Sequence, residues 1–184
     1  MSMPSKADIF EYWKEWLDKR CFDWGEPSCW ACERWWGSKY DIKNSNATWE
    51  EIRNAWDNVP LQGCHIIPKS LGGTDDPSNL FLMCKECHDR ALNTTSREAF
   101  LEWVKTQNWM DRLYKDVKNE LQTFGFDYND DIEVEKLNGI LSSEDFKEWA
   151  KNKVGLHFSQ SGYGAQITPS TMVALLWEYL NKCG

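Results

Sequence analysis

The sequence predicts an α+β protein that is mainly helical, with a small strand–loop–strand–helix unit near its middle. Three observations carry that prediction. Apolar residues recur at helical spacing in several separate stretches, the first being ADIFEYWKEWLDKR. Two short apolar runs, around Leu61–Ile67 and at Leu80–Met83, are bounded by turn residues and are too short for helices. Two Cys-x-x-Cys pairs, Cys29/Cys32 and Cys84/Cys87, bracket this central region.

Taken in order, residues 7–20 place Ile9, Phe10, Trp13, Trp16 and Leu17 on one helical face, a core-facing stripe. Residues 21–40 are irregular around the first cysteine turn, and Trp35-Trp36-Gly37 is expected to cover its sulfurs. Thr48-Trp-Glu-Glu51 reads as a capping box opening a helix to about Asn58. Ile66 and Ile67 extend a short strand that Pro68 ends, and LGGTDDPSN is turn chemistry throughout. Leu80-Phe81-Leu82-Met83 returns as a second strand, and a helix follows near Lys85–His88. This puts His65 on the first strand and His88 on the helix.

Thr95-Ser-Arg-Glu98 reads as another capping box. The helix after it carries Phe100, Leu101, Trp103, Val104, Leu113, Val117 and Leu121 towards Phe124, with a break near Asn108. It is expected to pack across the central unit. Gly125–Gly139 is polar and acidic and reads as a joint. Ser142 or Ser143 opens a helix to Val154, with Phe146 and Trp149 inward. Residues 155–168, including His157, form a Gly- and Ser-rich hairpin or loop. Thr168-Pro169 starts a last helix that buries Met172, Val173, Leu176, Trp177 and Leu180. The expected organisation is one domain over 1–124 and a helical C-terminal extension over 125–184 packed on the same core.

The cysteine spacing carries chemistry by itself. Two thiolates two residues apart bind one ion from a single tight turn, and two such turns close a tetrahedral site. The long gap between the pairs is tolerable, because loop-closure cost grows only logarithmically. In a secreted protein the same residues would form disulfides. The opening MSMPSKADIFEYWKEW lacks the basic start and apolar core of a signal peptide, so a reducing cytoplasm and structural Zn²⁺ on Cys29, Cys32, Cys84 and Cys87 are expected. Cys21 and Cys183 fit no such spacing and read as ordinary thiols.

The stretch CHIIPKSLGGTDDPSNLFLMCKECH resembles the motif of the HNH endonucleases, the ββα-metal finger. The resemblance covers about thirty residues, and Cys29 and Cys32 supply the other half of a four-cysteine zinc knuckle found in many members. It implies a zinc-braced finger surrounded by helices and a divalent-metal-dependent hydrolysis of DNA phosphodiester bonds. It implies that His65 is the general base, that Asn79 fixes the loop and orients His65 by hydrogen bonds, and that His88 helps hold a catalytic Mg²⁺, Mn²⁺ or other divalent ion. The residue before the base is often Asp or His and ligates that ion. Here it is Cys64, a poor partner for Mg²⁺ but a fair one for softer ions, so its place among the ligands stays open. Lys69, Lys85, Arg90 and Arg97 are candidate phosphate contacts by their nearness to the motif.

Composition bounds the partners. The net charge is −8, with 20 acids against 16 bases over 1–124 and 9 against 5 over 125–184, so there is no basic stripe. Unaided affinity for a duplex is therefore expected to be modest and salt-sensitive, and a metal ion or a basic protein partner would supply the missing attraction. The twelve tryptophans belong mainly to core or interface. No apolar run approaches the length of a membrane helix, so no membrane partner is expected. Two other readings stay open beside the endonuclease: a non-catalytic zinc module for protein or nucleic-acid binding, and a nuclease subunit active only in a complex.

Overall fold

The computed structural model describes residues 3–35, 41–151, 153–154 and 168–183. Trp36, Gly37, His157 and the 155–167 segment, all named above, lie outside the described residues. The chain divides into two compact units, Met1–Trp109 and Met110–Gly184. The protein is mainly helical with one small two-stranded sheet, an α+β fold.

The first unit begins with α1 (Lys6–Lys19), capped by Ser5 in a complete capping box with Asp8. Ile9, Phe10, Trp13 and Leu17 are buried along it, while Trp16 is only partly covered. Helix α2 (Trp49–Asn58) opens on the expected Thr48/Glu51 box and buries Trp56 against Phe10, the rings stacked at 4.4 Å. Strands β1 (Gln62–His65) and β2 (Leu80–Met83) pair antiparallel, with Cys64 opposite Phe81 and His65 opposite Leu80. β2 is buried at every position, which is why it reads as an unbroken apolar run.

Phe81 is the hub of this unit. Trp13, Trp16, Trp30 and Phe100 all meet its ring edge-on, with centroids 5.1–5.7 Å away. Each such pair adds about 0.5–1.5 kcal/mol beyond the area it buries. The Trp13 indole N–H donates to the carbonyls of Leu80 (2.8 Å) and Pro77 (3.0 Å), so α1 is bonded to the start of β2 as well as packed on it.

Two differences from the sequence reading concern helix starts and strand ends. β1 stops at His65, because the next residues turn to bond Asn79 instead of continuing a ladder. Helix α4 (Arg97–Lys105) is capped by Ser96, not Thr95: the Ser96 hydroxyl accepts from Ala99 N and donates to Glu98. Phe100 and Val104 of α4 join the core, as expected of a helix lying across the finger. The expected break near Asn108 is present, between α4 and α5 (Trp109–Thr123).

The second unit holds most of α5 with α6 (Asp131–Ser142), α7 (Glu144–Lys151) and α8 (Pro169–Cys183). The supposed joint at 125–139 is largely helix: Asp130 caps α6 by accepting from the amides of Ile132 and Glu133, and Leu137 is buried. Acidic residues fill its first turn, where the helix dipole favours them. The unit has a core of its own in Leu137, Phe146, Leu175 and Leu176. α8 faces inward through Val173, Leu175 and Leu176, which leaves Trp177 45% exposed instead of buried. The division between units lies N-terminal to the 124/125 boundary drawn from composition, because α5 runs with the second unit. Among the described residues no helix is long and apolar enough to cross a membrane.

Candidate functional site

The four cysteines come together. Cys29 and Cys32 sit on a turn in which the Glu33 amide donates to the Cys29 carbonyl at 2.8 Å, with Glu33 in the left-handed region at φ 63°. Cys84 is the N-cap of α3 (Lys85–Arg90), its sulfur accepting from Cys87 N at 3.4 Å. The Cys84 amide donates in turn to the Cys29 sulfur at 3.3 Å, so backbone bonds already join the two turns. All four Sγ atoms are buried and lie within 4.8 Å of one another, with Cys32 and Cys84 3.8 Å apart.

That geometry fits zinc. Tetrahedral Zn–S bonds of about 2.3 Å put ligand sulfurs roughly 3.8 Å from each other. The protonation of the set points the same way. Burial and the neighbouring sulfurs push the Cys29 thiol well up, while hydrogen bonds from Cys29, Cys32 and Cys87 pull Cys84 down. A dication replaces those shared hydrogens and stabilises all four as thiolates. The four cysteines can therefore hold one Zn²⁺. The sulfurs belong to the aromatic core itself, and Trp35 does not cover them: it bridges to Ser28, bonds Asp41 and is 47% exposed.

Cys64 and His65 occupy successive positions on β1 and so face opposite sides. Cys64 turns into the core, where burial, followed by the charge of nearby Cys87, pushes its thiol up to about 11. His65 sits on the more open side. Its Nε2 lies 2.9 Å from Asp75 Oδ1, and the second Asp75 oxygen receives a bond from Lys69 Nζ at 2.6 Å. The Lys69 ammonium, and then His65, hold the Asp75 carboxyl below its ordinary range.

Asn79 is the one buried polar side chain of the described residues, and its amide is fully used. Oδ1 accepts from Ile67 N at 3.0 Å, and Nδ2 donates to the carbonyls of Ile67 and Thr74, each at 2.9 Å. With the Asn79 carbonyl accepting from Ile66 N at 2.8 Å, the residue cross-braces the whole loop. Its side chain thus bonds the backbone beyond His65 and not the imidazole. Gly73 belongs to the same brace: a Cβ there would sit 1.7 Å from the Ile67 carbonyl oxygen and 2.8 Å from Asn79 Nδ2.

His88 follows Cys87 on α3, its side chain 39% exposed and its Nδ1 3.8 Å from Asp89 Oδ1, too far for a hydrogen bond. Lys85 pairs with Asp89 one turn on, and Arg90 lies exposed at the end of α3. Arg97 is a structural pin: its guanidinium donates to the Ser78 carbonyl at 2.8 Å and lies over the Trp13 ring. Asp75 is the residue the sequence reading missed. Its signal was an acid ten places after the histidine, in a loop otherwise explained as turn chemistry.

Two antiparallel strands, a cross-braced loop and a helix that shares a cysteine cluster define a ββα-metal finger. Residues 50–94 match the family model for the HNH endonucleases. The match supports a nuclease-type function and DNA as the substrate class. Comparison with curated proteins and with solved structures finds no match.

Proposed function

We propose that the protein is a divalent-metal-dependent endonuclease that hydrolyses DNA phosphodiester bonds with His65 as general base. The observation that carries this reading is the pairing of a partly open imidazole on β1, anchored by a carboxylate at 2.9 Å, with a second imidazole on the adjoining α3. A neutral imidazole has the right affinity for a water proton near neutral pH. In the step, a water proton passes to the free ring nitrogen of His65. The water oxygen forms the new bond to phosphorus, the bond to the 3′ oxygen breaks, and that oxygen takes a proton from solvent.

His88 is the residue that would hold the catalytic Mg²⁺ or Mn²⁺, with water and phosphate oxygens completing the shell. A partly exposed neutral imidazole is a suitable donor, whereas the buried Cys64 thiol is not, so the ligand set is built without Cys64. When bound, the ion supplies Lewis-acid stabilisation of charge on the phosphoryl group and the leaving oxygen. The knuckle zinc is structural. Lys69, Lys85 and Arg90, close to the two histidines in the sequence, are the candidate phosphate contacts, with Lys69 and Lys85 already paired to Asp75 and Asp89. With a net charge of −8, unaided affinity for DNA should be modest, and the part that the phosphate contacts supply should fall with added salt.

The test is plasmid nicking in Mg²⁺, Mn²⁺, Ni²⁺ and Zn²⁺. His65→Ala should cut the rate by about two to four orders of magnitude, and excess metal should not restore it. His88→Ala should also inactivate, but raised Mn²⁺ should recover part of the activity. If both variants nick at the parent rate, the zinc module acts as a binding scaffold and the endonuclease reading fails.

A further inference from the structure

His65 has two ring nitrogens, and only one can receive the water proton. The structure occupies one of them. Nε2 points at Asp75 Oδ1 at 2.9 Å, and Asp75 Oδ2 is taken by Lys69 Nζ at 2.6 Å. An ionised carboxylate only accepts hydrogen bonds, and an ammonium only donates. The chain Lys69–Asp75–His65 therefore has one consistent direction: both neighbours donate to Asp75, so the His65 hydrogen sits on Nε2.

We infer that Asp75 is a positioning residue that locks His65 in the Nε2-H tautomer, leaving Nδ1 as the atom that takes the proton, and that Lys69 enforces this by fixing how Asp75 is used. The inference rests on the endonuclease reading only for its kinetic consequence; the tautomer stands apart from it. The loop is built to hold the acid in place. Asn79 ties Thr74, the residue before Asp75, to the backbone at Ile67, and the Thr74 hydroxyl bonds Asp76 on the other side at 2.6 Å.

The sharpest consequence comes from Asp75→Asn, which keeps shape and removes charge. Lys69 can only donate, so it claims the amide oxygen. The NH₂ group is then turned towards His65 Nε2, which must become an acceptor, and the ring hydrogen moves to Nδ1. The base atom is lost although every heavy atom stays in place. An orienting carboxylate changed to its amide in this way costs on the order of 10⁴ in a serine-protease triad through the wrong tautomer. Removing Lys69 as well frees the amide to rotate and offer its oxygen to His65.

The test uses the full zinc-loaded chain. Histidine ¹⁵N NMR at about pH 8, where an ordinary imidazole is neutral, reads the tautomer of His65, assigned by loss of its signals in His65→Ala. Plasmid nicking reads the rate. The parent should carry its proton on Nε2. Asp75→Asn should move it to Nδ1 and lower kcat by about 10²–10⁴, with KM for DNA unchanged. Lys69→Met combined with Asp75→Asn should return the proton to Nε2 and regain most of the rate relative to Lys69→Met alone. Thermal melting confirms that each variant is folded. A parent with its proton on Nδ1 overturns the inference, as does Asp75→Asn with tautomer unmoved, whatever its rate. A moved tautomer at the parent rate overturns the assignment of Nδ1 as the base. If the parent cleaves nothing in any metal, the endonuclease reading fails, while the tautomer results still decide whether Asp75 locks His65.

Discussion

The two compact units of this chain solve the stability problem differently. The first surrounds Phe81 with four aromatic rings and ties the same core to four buried thiols. The second relies on a thinner apolar centre of Leu137, Phe146, Leu175 and Leu176. The Phe146, Trp149 and Tyr179 rings pack on one another there with centroids 5.2–6.1 Å apart, and Glu178 pairs with Lys182 and Lys153. Exposed ion pairs of that kind contribute little. Among the described residues, the thiol cluster that could link stability to a metal lies in the first unit, as does the loop that Asn79 cross-braces.

The largest expected effect separates the units outright. Structural zinc contributes about 10–16 kcal/mol of binding energy to folding in small zinc domains. Cys84→Ser should abolish tight zinc binding and the near-ultraviolet tryptophan signal of the first unit. Far-ultraviolet circular dichroism should still report the helices of the second. One transition that takes both signals together would erase the distinction.

The next effect compares the cores on equal terms. Phe81→Ala should cost about 3–5 kcal/mol and Leu176→Ala about 2–5, each by leaving a cavity. Denaturant melts should show Phe81→Ala moving only the tryptophan-rich transition and Leu176→Ala only the other. Equal shifts of both transitions by either variant would break the comparison.

The smallest effect sharpens it at a single helix end. Ser5→Ala removes the side-chain half of the α1 capping box and should cost about 1 kcal/mol, read in the first transition alone. A cost near zero would mean that the bonds Asp8 accepts from Ser5 N and Arg53 hold the end by themselves.

How much of this was legible in the sequence follows the range of the interactions. The Cys-x-x-Cys turns, the capping boxes at Thr48 and the strand–loop–strand–helix order are local patterns, and each appears as read. The Ser96 cap differs by one residue because Thr95 and Ser96 offer the same hydroxyl, and backbone geometry alone chooses between them. Helix α6 was hidden because its acidic opening looks like a linker until Asp130 is seen bonding the first amides. Trp177 was placed inward by periodicity, but the packing of Leu175 and Leu176 rotates the helix face past it. The bond from Asp75 to His65 depends on how the loop folds back, and residue types alone do not state it.

Cys87 and His88 are neighbours on α3, a helix of six residues with Cys84 as its cap. A helix that short does not persist without an anchor. Two ions of very different residence time would therefore govern one rate. On the proposed function, a brief pulse of chelator should withdraw a loosely held Mg²⁺, and adding Mg²⁺ back should reverse it. A long exposure should strip the knuckle, let α3 unwind, and leave His88 with no fixed place for Mg²⁺ to return to. Inhibition by chelator would then measure elapsed time, and a single concentration for half-inhibition would have no fixed meaning.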